Sequence, residues 1–287
     1  MDSLDVTHHF AEVGDVTLHY VTAGSGPPVV LLHGWPQTWF EWRHIIPRLA
    51  KRYTVIAPDL RGLGDSSRPL HGYDKKTVAN DVWQLVHAQL GHATFHLVGH
   101  DWGGPTAFAL AAAHPEAITK LAIVDVVIPG DGGDFSEGGR RWHHQFHITP
   151  DLPEALIQGR ERIYLQWFYQ TFAYDPTAID DDALDEFVRT YAQPGALRAG
   201  FSYYREIKQD AADNAALLAT GFRLPMPVLA VGGGVSYPHG RGRGGDVETS
   251  LKRVAENVRG VVVADCGHFV PEEKPEELAQ LLLQFLD

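Results

Sequence analysis

Short apolar runs alternate with longer stretches of helical period over the first half of the chain. Val16–Val21, Pro28–His33, Tyr53–Pro58, Phe95–Gly99 and Leu121–Val124 read as strands. Trp39–Arg52, Lys75–Leu90 and Gly104–His114 read as helices between them. The pattern resumes with strands at Val228–Val231 and Val261–Ala264 and a closing helix over Glu276–Leu286. Strands that alternate with helices predict a mostly parallel central sheet flanked by helices. Val16–Val21 alternates and precedes a tight Gly-rich link, so it is expected at an antiparallel edge.

The rhythm changes between Ile128 and about Pro225. A loop signal, Pro129-Gly130-Asp131-Gly132-Gly133, opens a helical segment rich in aromatics and without strand-like alternation. The organisation predicted is an α/β core over 1–128 and 226–287 with an inserted helical cap over 129–225. The Gly/Arg run His239–Gly245 reads as a mobile loop.

Composition narrows the classes of function. The chain has 287 residues and a net charge of −12 with histidine neutral. That argues against a general binder of nucleic acid or anionic membranes, which needs a basic face. The one cysteine, Cys266, leaves no disulfide within the chain and no cysteine-based zinc site. The first residues are acidic and polar rather than basic and apolar, and no apolar run reaches the roughly 18 residues of a membrane span, so the expected setting is cytoplasmic.

Three motifs carry the chemistry. Gly99-His100-Asp101-Trp102-Gly103-Gly104 follows an apolar strand and opens a helix of small residues. This is the setting of a nucleophile elbow, a sharp strand-to-helix turn that exposes one side chain, here Asp101 in place of serine. His33-Gly34-Trp35-Pro36 follows strand Val29–Leu32. The loop at that place supplies one backbone N–H of an oxyanion hole, so Trp35 and Trp102 are the expected donors. Cys266-Gly267-His268-Phe269 follows the last strand, and His268 completes the chain order nucleophile, acid, histidine. Sixteen histidines occur, so position and order single out His268 rather than residue type. The acid that orients it can follow either Val124 or Val231. Asp125 stands at once after the first, whereas no carboxylate follows the second until Asp246, so Asp125 is the expected acid.

Together, HGWP, DLRGLGDSSRP (Asp59–Pro69), GHDWGG and GHFVPEE resemble the aspartate-nucleophile branch of the α/β-hydrolase fold, over nearly the whole chain from Phe10 to Leu286. That branch holds epoxide hydrolases, haloalkane dehalogenases and fluoroacetate dehalogenases. Arg141-Trp142-His143-His144-Gln145-Phe146 and Phe201-Ser202-Tyr203-Tyr204-Arg205 most resemble the Cif-type epoxide hydrolases, in which a cap His and a cap Tyr open the ring. The resemblance implies that Asp101 attacks an epoxide carbon, that His143 and Tyr204 support the leaving oxygen, and that His268 activates water to cleave the ester to a vicinal diol. Trp35, Trp102, Trp142 and Tyr203 are then substrate contacts, with Tyr203 the alternative to Tyr204 as donor. It implies a small-molecule epoxide and water as the only partners, with neither cofactor nor metal, and the aromatic-rich cap offers a surface for a homodimer.

Two other readings compete. Trp102 after the nucleophile also suits a haloalkane dehalogenase, but the residue after His-Gly is Trp35 where those enzymes carry Asn. The arginines that fluoroacetate dehalogenases place beside the nucleophile are here Trp102 and Pro105. A non-catalytic binder on the same fold would be expected to lose part of the set that this sequence keeps.

Overall fold

The computed structural model describes residues 4–135, 139 and 141–287. Eight strands form one sheet: β1 (Thr7–Val13), β2 (Val16–Ala23), β3 (Pro28–Leu32), β4 (Thr54–Pro58), β5 (Phe95–His100), β6 (Ile118–Val124), β7 (Leu224–Gly233) and β8 (Ala255–Val263), in the order β1-β2-β4-β3-β5-β6-β7-β8. The β1–β2 and β2–β4 pairs are antiparallel and the others parallel. The predicted antiparallel strand is therefore β2, one place in from the edge. The edge itself, β1, was not foreseen, because Thr-His-His-Phe-Ala-Glu-Val puts histidines where an apolar stripe is sought.

Period-two alternation distributes the central strands between two cores. Val30, Leu32, Leu97, Leu121, Ile123, Val228 and Ala230 face one. Val29, Leu31, Val98, Ala122, Val124, Leu229 and Val231 face the other. Such strands are apolar on both faces, which is why they read as continuous apolar runs.

Helices α1 (Ile46–Leu49), α2 (Lys75–Trp83) and α3 (Gly103–Ala113) connect the first strands. The predicted helix Trp39–Arg52 is instead a 3₁₀ turn at Trp39–Trp42 followed by the one-turn α1, with Pro47 in its first turn, where a missing N–H does no harm. The predicted Lys75–Leu90 begins at an Asp74 cap, whose side chain accepts from Thr77 N, and passes from α2 into a π-helical turn at Gln84–Gln89.

Between β6 and β7 lie α4 (Trp142–Ile148), α5 (Leu152–Ile157), α6 (Glu161–Phe172), α7 (Asp181–Tyr191), α8 (Ala196–Arg205) and α9 (Ile207–Ala219). After β7 come α10 (Asp246–Val254), β8, α11 (Val270–Glu273) and α12 (Pro275–Leu286). Strands β7 and β8 begin several residues before the apolar runs that announced them. Among the described residues, no helix is long and apolar enough to cross a membrane.

The run His239–Gly245 lies against the sheet end, tied by backbone bonds. Arg241 N donates to Phe172 O at 2.9 Å, Gly242 N to Val235 O at 2.8 Å, and Gly244 N to Gly233 O at 2.9 Å. Its glycines let the backbone lie against β7: a Cβ on Gly242 would stand 2.1 Å from Gly233 O.

Candidate active site

Asp101 sits where β5 turns into α3, with a left-handed φ of 44°. That conformation is uncommon for a side-chain-bearing residue, and here the packing on both sides of the turn enforces it. A Cβ on Gly99 would fall 2.3 Å from Gly103 O, and one on Gly103 would fall 2.2 Å from Leu32 O. A Cβ on Gly34 would lie 2.3 Å from that of Asp101, so the glycine after His33 makes room for the carboxylate itself.

The two oxygens of Asp101 have different surroundings. Oδ1 accepts the Trp35 N–H at 2.9 Å. Oδ2 lies 3.5 Å from His268 Nε2. Trp102 follows at once in the chain, its ring edge-on to that of Tyr204 at 5.0 Å. Burial alone would raise the Asp101 pKa. The bond to His268, the charges of His268 and His100, and the Trp35 N–H outweigh it and hold the carboxyl well below the usual range.

His268 Nδ1 meets Asp125 Oδ2 at 2.7 Å. The aspartate therefore reaches the imidazole from the end of β6, helped by its own left-handed φ of 50°. Its other oxygen accepts Gly233 N at 2.8 Å and Arg243 N at 2.7 Å, which fixes the carboxylate's plane. Asp246, the alternative acid, is exposed at the start of α10. The backbone of His268 is held as well. Its N–H donates to Phe172 O at 2.9 Å, the same carbonyl that receives Arg241, and its carbonyl meets His100 Nε2 at 3.0 Å. Burial tends to lower the His268 pKa, but the bonds and charges of Asp101 and Asp125 prevail and push it up to about 9.

A cavity of only about 20 Å³ opens on Asp101 and His268, and His143 and His144 of α4 and Tyr204 of α8 line it from the other side. That is room for little more than one water. Burial, reinforced by neighbouring cationic groups, drives the pKa of His143 well down and keeps the ring neutral. Burial and the Asp101 charge drive that of Tyr204 well up and keep its hydroxyl protonated. Both can therefore donate a hydrogen bond at neutral pH.

Tyr203 and Trp142 stand elsewhere. The Tyr203 hydroxyl donates to Arg61 O at 2.8 Å, and its ring packs against Tyr73. Adjacent helical residues point about 100° apart, so α8 turns Tyr204 into the cavity and Tyr203 into the core. Trp142 is 45% exposed. It lines a second cavity of about 700 Å³ with Trp167, Phe172 and Arg241. The Trp35 ring is buried against His147, Phe168 and Tyr204, so this residue meets the site through its backbone.

Two charged lining residues were given no role by the sequence reading. Arg141 and Arg241 face the inner cavity beside Asp101. Nothing in the local pattern distinguishes them from solvent-facing arginines, because only the folded path of the 234–245 loop and the start of α4 brings them here.

A left-handed aspartate at a strand-to-helix turn, an adjacent N–H donor and a histidine paired with a second aspartate make up a site of α/β-hydrolase type. The α/β hydrolase fold family matches residues 27–206. A soluble epoxide hydrolase of Corynebacterium sp. (strain C12) is 41% identical over 99% of this chain and 98% of its own length. A fluoroacetate dehalogenase of Burkholderia sp. is 30% identical over 96% of this chain and 92% of its own. The ligand-free structure of the epoxide hydrolase CorEH superposes with a TM-score of 0.90 at 41% identity, covering 98% of this chain and 99% of that one. The chain thus belongs to the α/β hydrolase fold family and, within it, to the epoxide hydrolase family.

Proposed function

We propose that this protein hydrolyses epoxides to vicinal diols through an ester on Asp101. The observation that carries the reading is the convergence of a carboxylate, an imidazole and two neutral proton donors, His143 and Tyr204, on one small cavity. A halide leaves without a proton, so paired donors favour the epoxide over the dehalogenase alternative.

Asp101 Oδ2 attacks one epoxide carbon while Oδ1 stays on the Trp35 N–H. The ring C–O bond breaks, its electron pair moves to the epoxide oxygen, and that oxygen takes a proton from Tyr204 while the neutral His143 ring donates a hydrogen bond to it. Forming the ester removes the negative charge that had kept His268 protonated. The imidazole proton can then restore the spent donor, leaving His268 neutral and basic. It takes a proton from water, and the resulting hydroxide adds to the Asp101 carbonyl carbon. The oxyanion develops on Oδ1, already seated on Trp35 N–H, with the Trp102 N–H as second donor. Collapse expels the diol oxygen, which takes the proton from His268. The Asp101 acid then ionises toward His268 and restores the resting state.

The test is His268→Gln with styrene oxide. The variant should be alkylated yet hydrolyse the ester slowly, so intact mass rises by one epoxide and peptide mapping finds it on Asp101. Rapid multiple turnover, or an adduct on another side chain, would overturn the assignment.

A further inference from the structure

His100 immediately precedes the nucleophile, and its ring takes no part in the chemistry above. It is fully buried, as is Glu41 of the turn Trp39–Trp42. Nδ1 of His100 lies 3.2 Å from one Glu41 carboxylate oxygen and 3.3 Å from the other. Nε2 lies 3.0 Å from the carbonyl oxygen of His268. The rings of the two histidines stand 5.0 Å apart, centre to centre.

These contacts decide where the protons are. A carbonyl oxygen only accepts, so Nε2 carries a proton. A carboxylate also only accepts, so Nδ1 carries a second, and the ring is a cation. Burial alone would strip His100 of that charge, but the charge of Glu41 and its bond prevail and raise the pKa. A buried ion pair is a poor source of stability, because desolvation offsets the attraction. What needs explaining is that this one is aimed at the base.

Glu41 is bonded to the far nitrogen, so His268 meets the imidazolium first. The other titratable groups that act on His100 are His268, from the loop after β8, and Asp101, beside it in the chain. Glu272 is within electrostatic reach of Glu41 and is itself paired with Arg43 at 2.7 Å. In the resting protein the carboxylates of Asp101 and Asp125 hold the proton on His268 against its cationic neighbour. The same neighbour helps to keep Asp101 ionised. Esterification removes the Asp101 charge and leaves His268 between one carboxylate, Asp125, and one cation, His100.

We propose that Glu41 and His100 form a charged dyad that positions the base and, once the ester has formed, drives the proton from His268 to the spent donor. This rests on the epoxide-hydrolase reading and assigns to it two positioning residues beyond Asp101, Asp125 and His268. The Nε2 hydrogen bond holds the His268 backbone, and the charge biases its ring. The N–H of His268 breaks and the O–H of the donor forms, while the dyad keeps its own two protons throughout.

Glu41→Gln separates the two effects. Its amide can donate to Nδ1, which makes His100 neutral while Nε2 still donates to the His268 carbonyl. In rapid-quench experiments with styrene oxide, the acid limb of the pH profile for ester hydrolysis should move up by about one pH unit, and the ester should accumulate between the two limbs. A loss of packing alone would lower the profile and leave its limb in place. A second measurement needs no variant: nitrogen NMR of histidine-labelled wild type should find His100 protonated on both nitrogens at neutral pH. A limb that stays in place in Glu41→Gln, or a His100 with Nδ1 bare in wild type, overturns the inference while leaving the activity intact. A wild type that neither opens the epoxide nor forms an ester overturns the activity reading and this inference with it.

Discussion

The cavity has a floor and a roof built on different physical terms. On the floor, Asp101, Asp125 and His268 stand at or just beyond strand ends, and their polar atoms meet backbone or side-chain partners at stated distances. On the roof, His143, His144 and Tyr204 are held mainly by neighbouring rings: Tyr204 is edge-on to Trp35, Trp102, His143, His144 and His147. Hydrogen bonds fix direction, whereas ring packing fixes volume and leaves direction to shape. A floor of the first kind suits a reaction that needs its atoms in one arrangement. A roof of the second kind can be repacked to admit different substrates.

The comparison can be broken most sharply at Asp125. Asp125→Asn keeps an oxygen on the Gly233 and Arg243 N–H groups and turns its NH2 toward His268 Nδ1, which then must accept, so the imidazole proton is held on Nε2 and the base is blocked. Hydrolysis of the ester should fall by about 10²–10⁴, with alkylation persisting, so the adduct accumulates in rapid-quench experiments. Asp246→Asn should leave hydrolysis within about twofold; a larger loss there than at Asp125 would relocate the acid.

Tyr204→Phe comes next. With His143 as second donor, alkylation by an epoxide should slow by about tenfold to a hundredfold while ester hydrolysis is spared. An unchanged alkylation rate in both Tyr204→Phe and His143→Ala would reduce the roof to packing. Tyr203→Phe sharpens the contrast from the other side. It leaves Arg61 O without its partner and should lower stability by about 1 kcal/mol in urea titrations, with no change in either half-reaction.

The smallest effect concerns pH. His268 titrates at about 9 in the resting protein, above its ordinary value of 6.5. Its contribution to stability is therefore full below about 6.5 and lost as pH rises through about 9. Removing the carboxylate in Asp101→Ala should move the histidine titration downward, read by proton NMR of the imidazole. That variant should also lose part of the stability decline between those pH values. A titration that stays near 9 would show that Asp125 alone sets it and would remove the proposed switch in basicity.

The floor was legible because its demands are local. Glycines at 99, 103 and 34 are required by approaches of 2.2–2.3 Å within a single turn and the adjacent loop. The place of Asp125 beside His268 was legible because it directly follows an apolar strand. The roof was less legible because its aromatic residues look alike in sequence: Tyr203 and Tyr204 differ only in which side of α8 they occupy, and Trp142 differs from His143 by one step along α4. In the Gly/Arg run, glycines that permit close packing read the same as glycines that permit motion, so its bonds to Phe172, Val235 and Gly233 had no local signal. Arg241 carried no local signal, and Arg141, although it opens the cap motif, carried none for its place at the cavity.

One carbonyl joins floor and roof. Phe172 O, at the end of α6, receives both the N–H of His268 and that of Arg241. A cap that lifted away at this residue would strip two amide protons of their acceptor and loosen the histidine. Entry by such a hinge would dismantle the base that the next step needs. The Phe172 ring, by contrast, borders both cavities, and a rotation of that side chain would leave its carbonyl bonded. The passage then has a side chain for its door and a peptide group for its frame, and the frame need not move for the door to open. Hydrogen exchange reads the difference: slow at the amides of His268 and Arg241 throughout turnover if traffic passes the ring, fast if the cap swings.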